Sequence, residues 1–208
     1  MNTAIFDYGA GNLHSLAKGL EGAGATATIT SAWDEALSAD ALVLPGVGAF
    51  GQAVGALPED RARLREVLRS GFPCLGICLG MQILFEQSEE SDDARAGIGA
   101  AAGAVTLLEA DVVPHMGWND VETSEDPLFH GIDEFIAYYA NSYVCEPTDE
   151  AIVIAWSTYE GHRFPAAVRV ANTWGVQFHP EKSSTDGRRL LSNFVEQTRS
   201  LLAAGRQP

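Results

Sequence analysis

The first half of the chain alternates short apolar runs with segments of helical period, which narrows the available folds more than any other feature. Thr3-Ala4-Ile5-Phe6 reads as a buried strand, followed by the loop Asp7-Tyr8-Gly9-Ala10-Gly11-Asn12. Leu13, Leu16, Ala17 and Leu20 then recur at the spacing of one helix face. Residues 25–30 form a second expected strand, and Ala41-Leu42-Val43-Leu44 a third, closed by Pro45-Gly46. Pro58, Glu59 and Asp60 begin a helix with Leu64, Val67 and Leu68 on its apolar face, and Gly71 ends it. Residues 73–77 are the next strand, and residues 79–85 begin the next helix. Such alternation predicts an α/β fold with a parallel sheet covered on both sides. The second half is richer in β, with strands expected at 135–139, 151–156, 166–171 and 173–179. A last helix starts near Asp186 and carries Leu190, Leu191, Phe194 and Val195 on one face. No internal repeat or Pro/Ser-rich linker divides the sequence, so one domain over 1–208 is expected.

Composition excludes several classes of function. At 208 residues, 46% hydrophobic and 20% charged, the chain can bury a sizeable core and is not disordered. Its 13 Lys+Arg against 28 Asp+Glu give a net charge of −15, which repels phosphate backbones and anionic lipids. Neither nucleic acid nor membrane is an expected partner. Cys74, Cys78 and Cys145 are too few for a disulfide framework, and no second cysteine pair or neighbouring His suggests zinc. No metal is expected, and a reducing cytoplasm fits. The N-terminus lacks the basic and apolar regions of a signal peptide, and the uncharged stretch 96–108 is too short to cross a bilayer. Gly9-x-Gly11 follows a strand, but His14 stands where a dinucleotide fingerprint needs glycine, so no cofactor is expected. The acidic run at 86–93 reads as a solvated helix end and loop.

The chemistry concentrates in two segments. Gly76-Ile77-Cys78-Leu79-Gly80 lies where a strand meets a helix, the setting of a nucleophile elbow with Cys in place of Ser. A side chain at such a turn projects from the sheet edge. The glycines relieve crowding, and the new helix aims free N–H groups at the site. Alone, the segment also fits a small core cysteine at a tight junction; Cys74, inside the strand, is read as core. In Val176-Gln177-Phe178-His179-Pro180-Glu181, an extended backbone across the proline would set His179 and Glu181 on one side. Glu181 could then fix the tautomer of His179 while the other ring nitrogen faces Cys78. A lone His at a strand end is more often structural, and it is the combination with the elbow that favours a base here; the histidines at 14, 115, 130 and 162 lack such a companion. Pro45-Gly46-Val47-Gly48 follows a strand of the same sheet, and its glycines let a backbone N–H turn toward an oxyanion, although alone the segment reads first as an ordinary strand-to-helix turn.

Together, Gly76-Ile77-Cys78-Leu79-Gly80-Met81-Gln82 and Gly175-Val176-Gln177-Phe178-His179-Pro180-Glu181-Lys182-Ser183 resemble the two signature blocks of class I (triad) glutamine amidotransferases. Tyr8 to Leu13, Pro45 to Phe50, His115-Met116-Gly117-Trp118-Asn119 and Tyr138 to Tyr143 resemble, within that family, the glutaminase subunits of imidazole glycerol phosphate synthases, which serve histidine biosynthesis. The resemblance covers nearly the whole chain. It implies a flavodoxin-like fold, a mostly parallel central sheet flanked by helices with added antiparallel β elements in the second half. It implies Cys78, His179 and Glu181 as the triad, and glutamine held near Gly46, Val47, Gly48, Leu79, Gln82, Ser142 and Tyr143. It also implies a (β/α)8-barrel cyclase partner that takes the ammonia and contacts Met116, Trp118, Asn119 and Lys182. Asn141 stands where the family leads one to expect His. From the residues alone, three alternatives remain: a different amidotransferase glutaminase, a stand-alone cysteine hydrolase, or a silent binding protein.

Overall fold

Strand β1 (Asn2–Phe6) is followed by α1 (His14–Gly22), β2 (Thr26–Thr30), α2 (Trp33–Ser38), β3 (Ala41–Leu44), α3 (Phe50–Gly55), α4 (Arg61–Arg69) and β4 (Cys74–Ile77). After β4 come α5 (Leu79–Gln82), β5 (Gln87–Ser88), β6 (Gly103–Leu107), β7 (His115–Thr123), β8 (Phe135–Asn141), β9 (Tyr143–Pro147), β10 (Val153–Tyr159), β11 (His162–Val170), β12 (Thr173–Val176) and α6 (Ser184–Ala204). This computed structural model describes residues 1–9, 13–46, 48–90 and 97–205. Ala10, Gly11, Asn12, Val47 and part of the acidic run therefore lie outside the described residues.

Among the described residues, one nine-stranded mixed sheet runs β2-β1-β3-β4-β12-β11-β10-β7-β8. It is parallel from β2 through β12 and antiparallel from β12 to β8. A small sheet, β5-β6-β9, packs beside it. The continuous apolar runs read in the sequence are buried because both sheet faces are covered. Ile5, Val43, Leu75 and Ile77 pack with Leu16 and Leu20 of α1 and Leu190, Leu191 and Phe194 of α6. Phe6, Leu42, Leu44 and Cys74 face the other way, toward Phe50, Val54, Leu64 and Leu68.

Several expectations shift in detail. The helix expected from Pro58 begins at Arg61, because the Asp60 side chain caps it by accepting from Arg63 N–H. Residues 150–152 form a 3-10 turn rather than strand, since Asp149 accepts from Ala151 N–H. The helix after Cys78 is a single turn. It stops because the carbonyls of Ile83, Leu84, Phe85 and Glu86 accept from the N–H groups of Ile98, Ala101, Gly99 and Gly97. The strands β5, β6, β7 and β9 carry no signal that the sequence pattern makes legible.

Candidate active site

Strand register assembles the site. Leu44 of β3 pairs with Gly76 of β4, and Val176 of β12 pairs with Ile77. Pro45-Gly46, Cys78 and residues 177–179 therefore leave the sheet together at the carboxyl edge, where open α/β sheets bind ligands. Close packing at the elbow admits only glycine at its two flanks. A Cβ on Gly76 would lie 2.6 Å from Gly80 O, and one on Gly80 would overlap the Leu44 carbonyl.

Cys78 sits at φ +48°, a left-handed conformation unusual for a side-chain-bearing residue. Its N–H donates to Val176 O at 2.7 Å, so that amide is spent on the sheet. The next N–H, Leu79, opens the helical turn and has no intrahelical acceptor. His179 is buried. Its Nδ1 lies 2.8 Å from Glu181 Oε1, and its ring stands beside Cys78, close enough to interact with the thiol. Burial pushes His179 down, but the hydrogen bonds and charges of Cys78 and Glu181 outweigh it and raise the imidazolium to about 9. The companionship of His179 and Glu181 does not come from extended backbone. Pro180–Lys182 is a 3-10 turn, for which Pro180 presets φ, and the turn brings Glu181 back under the ring.

Gly46 lies against both Cys78 and His179. A Cβ there would lie 2.8 Å from Cys78 Cβ and 3.0 Å from His179 Cε1. Gly48 adopts φ +101°, which favours glycine. A cavity of about 230 Å3 opens beside Cys78, lined by Gly46, Gly48, Leu79, Gln82, Asn141, Ser142, Tyr143 and Glu90. That is below the roughly 300–1,000 Å3 of drug-sized sites and suits an amino-acid-sized ligand. Glu90 is not singled out by the sequence, where it reads as part of a solvated run. Burial raises its carboxyl, partly offset by a bond from the Phe50 backbone. Nothing local distinguishes it from the carboxylates around it. Ser183 is likewise without an expected role: it accepts from Tyr138 N–H at 2.9 Å and donates to His179 O at 2.6 Å.

The residues expected at a partner interface divide. Met116 and Trp118 are 65% and 55% exposed on the outward face of β7, beside Ile136 at 50% on β8, and form an apolar patch. Trp118 stands edge-on to Tyr138, and Lys182 Nζ lies 5.6 Å from the Tyr138 ring. Asn119 has the opposite parity. Its amide donates to Thr158 O and accepts from Asp120 N–H, holding β7 against β10. Among the described residues, no group of three or more His, Cys, Asp or Glu side chains could hold a metal ion.

Such a site defines a class of protein. Residues 4–198 match the family "Glutamine amidotransferase class-I", and the chain belongs to that family. It is 44% identical to "Imidazole glycerol phosphate synthase subunit HisH" of Gloeothece citriformis, across 94% of this chain and 96% of the relative. The protein of the same name from Acaryochloris marina is 43% identical, across 96% of each chain. Among solved structures, a putative GMP synthase protein from Thermoplasma acidophilum matches the fold with a TM-score of 0.76 at 18% identity, covering 100% of this chain and 98% of that one.

Proposed function

We propose that the chain hydrolyses the side-chain amide of glutamine through Cys78, His179 and Glu181 and hands the ammonia to a cyclase subunit. It is the glutaminase subunit of imidazole glycerol phosphate synthase, as the full-length relatives at 43% and 44% identity support. One observation carries the chemistry. A histidine stands beside a cysteine in a strained elbow and is hydrogen-bonded to a carboxylate, next to a cavity of amino-acid size. In this reading residues 1–208 act as one cytoplasmic domain without cofactor or metal.

Cys78 Sγ attacks the amide carbon of glutamine. The C–N bond breaks as His179 delivers a proton to nitrogen, leaving a γ-glutamyl thioester and free ammonia. His179 then takes a proton from water, whose oxygen attacks the thioester carbon; the C–S bond breaks and glutamate leaves. Leu79 N–H and the N–H groups of 46–48 hold the oxyanion. Gln82, Ser142 and Tyr143 hold the amino-acid end, and Glu90 supplies an anion for the α-ammonium.

Free ammonia would be protonated and lost in water, so the partner must cover the site. The patch of Met116, Trp118 and Ile136, with Lys182, offers a docking face for a (β/α)8-barrel cyclase. Tyr138 joins that face to the triad, since its carbonyl accepts from His179 N–H at 2.8 Å. Partner binding then aims a 46–48 N–H at the oxyanion, and one such donor is worth about 10²–10³-fold in rate. The test is glutaminase kinetics on the chain alone, with cyclase, and with cyclase plus its nucleotide ligand. Near-inactivity alone and activation of that order in the complex are expected. Full activity alone would indicate a stand-alone hydrolase.

A further inference from the structure

Gln177 touches the sulfur, and the steps above give it no work. It is fully buried just beyond β12, with its backbone fixed by a 2.8 Å bond from its N–H to Ala166 O. Its Nε2 donates to Cys78 Sγ at 3.5 Å, and its Oε1 accepts from Gln82 Nε2 at 3.4 Å. Gln82 Nε2 also donates to Tyr143 O at 3.1 Å, as does Asn141 Nδ2 at 3.0 Å. This chain of bonds fixes which way round each amide lies. A backbone carbonyl can only accept, so Gln82 must turn its NH2 toward Tyr143. The end of Gln177 that meets the same NH2 must be its oxygen, which leaves the Gln177 NH2 at the sulfur.

We propose that Gln177 is a catalytic residue that stabilises the sulfur anion released when the thioester is hydrolysed. This rests on the reading of Cys78 as nucleophile. An N–H donor interacts weakly with the neutral sulfur of a thioester and strongly with a sulfur bearing charge. During acylation the bond weakens as S–C forms. During deacylation the water oxygen bonds to carbon, its proton passes to His179, and the C–S electron pair moves onto sulfur. There the bond strengthens toward the transition state, which is the condition for accelerating a step. Gln177 therefore serves the second half-reaction.

The experiment uses the complex with cyclase and its nucleotide ligand, comparing native chain with Gln177→Met, whose side chain has similar length and no donor. Three quantities are read: steady-state glutamate release, the fraction of chain bearing a γ-glutamyl adduct after acid quench by intact mass, and the rate of labelling by a glutamine-mimicking electrophile. Gln177→Met should lower glutamate release about tenfold or more, the scale of a lost hydrogen bond to a charged group. The acyl adduct should accumulate while electrophile labelling stays near native. Unchanged release, or release and labelling falling together without adduct, would overturn the proposal. Gln177→Leu is measured in parallel, with far-UV circular dichroism, so that a folding defect in one variant does not decide the result. Failure of the native chain to take label on Cys78 would instead overturn the nucleophile assignment.

Discussion

Three buried cysteines, one of them at the cavity of the elbow, reduce the chemistry to a choice that single residues can test. Burial pushes the thiols of Cys74 and Cys145 far up, and neither lines the cavity beside Cys78. A glutamine-mimicking electrophile should therefore label Cys78 and spare the other two, as read by peptide mapping; label mainly on Cys74 would refute the elbow. His179 carries a pH signature. Its folded-state value of about 9 lies above the ordinary 6.5. Its stabilising contribution is thus complete below pH 6.5 and lost as pH rises through 9. The unfolding free energy of native chain minus that of His179→Gln should fall across that window, by an amount on the order of a few kcal/mol. A difference that stays flat with pH would contradict the pairing. At this scale the sequence exposed residues whose chemistry is announced by neighbours: Cys78 by its glycines and His179 by Glu181. It hid Glu90 and Gln177, whose surroundings come from distant segments.

The elements were most legible where both faces are buried; of the strands buried on one face, β8 was legible and its neighbour β7 was not. Strands β1, β3 and β4 appear as apolar runs because helices cover both sides. Strand β7 inverts the usual pattern, with Met116 and Trp118 outward and His115 stacked inward against Tyr139 and Tyr159 at 4.8 and 4.0 Å. No period-2 apolar signal survives that arrangement. The helix after Cys78 is shorter than its sequence suggests because its termination depends on N–H groups from residues 97–101, which no local pattern announces. Tight packing of that turn gives a stability prediction. Gly80→Ala drives a Cβ into the Leu44 carbonyl, a backbone atom that cannot rotate away. It should cost about 3 kcal/mol, the upper range for overpacking, and be seen as a lower denaturant midpoint. A neutral result would mean that β3 and the elbow do not pack this closely.

On the scale of the whole molecule, the proposed triad and the apolar patch are two ends of one arrangement, joined where Tyr138 meets His179 and Ser183. The net charge and the absence of a described helix long and apolar enough to cross a membrane bear little on that arrangement. The exposed aromatic residue bears on it directly. Trp118→Ala should leave the isolated chain's stability nearly unchanged, because the ring is 55% exposed. It should weaken cyclase binding by roughly 2 kcal/mol or more, the scale of an interface hot spot, as read by titration calorimetry. Unchanged affinity would move the interface elsewhere. The central claim, that Cys78 makes ammonia for a partner, is tested most directly by Cys78→Ala in the complex, assayed with glutamine and then with an ammonium salt. Glutamate release should vanish while ammonium-driven turnover of the cyclase persists. Retained glutaminase activity in that variant would contradict it.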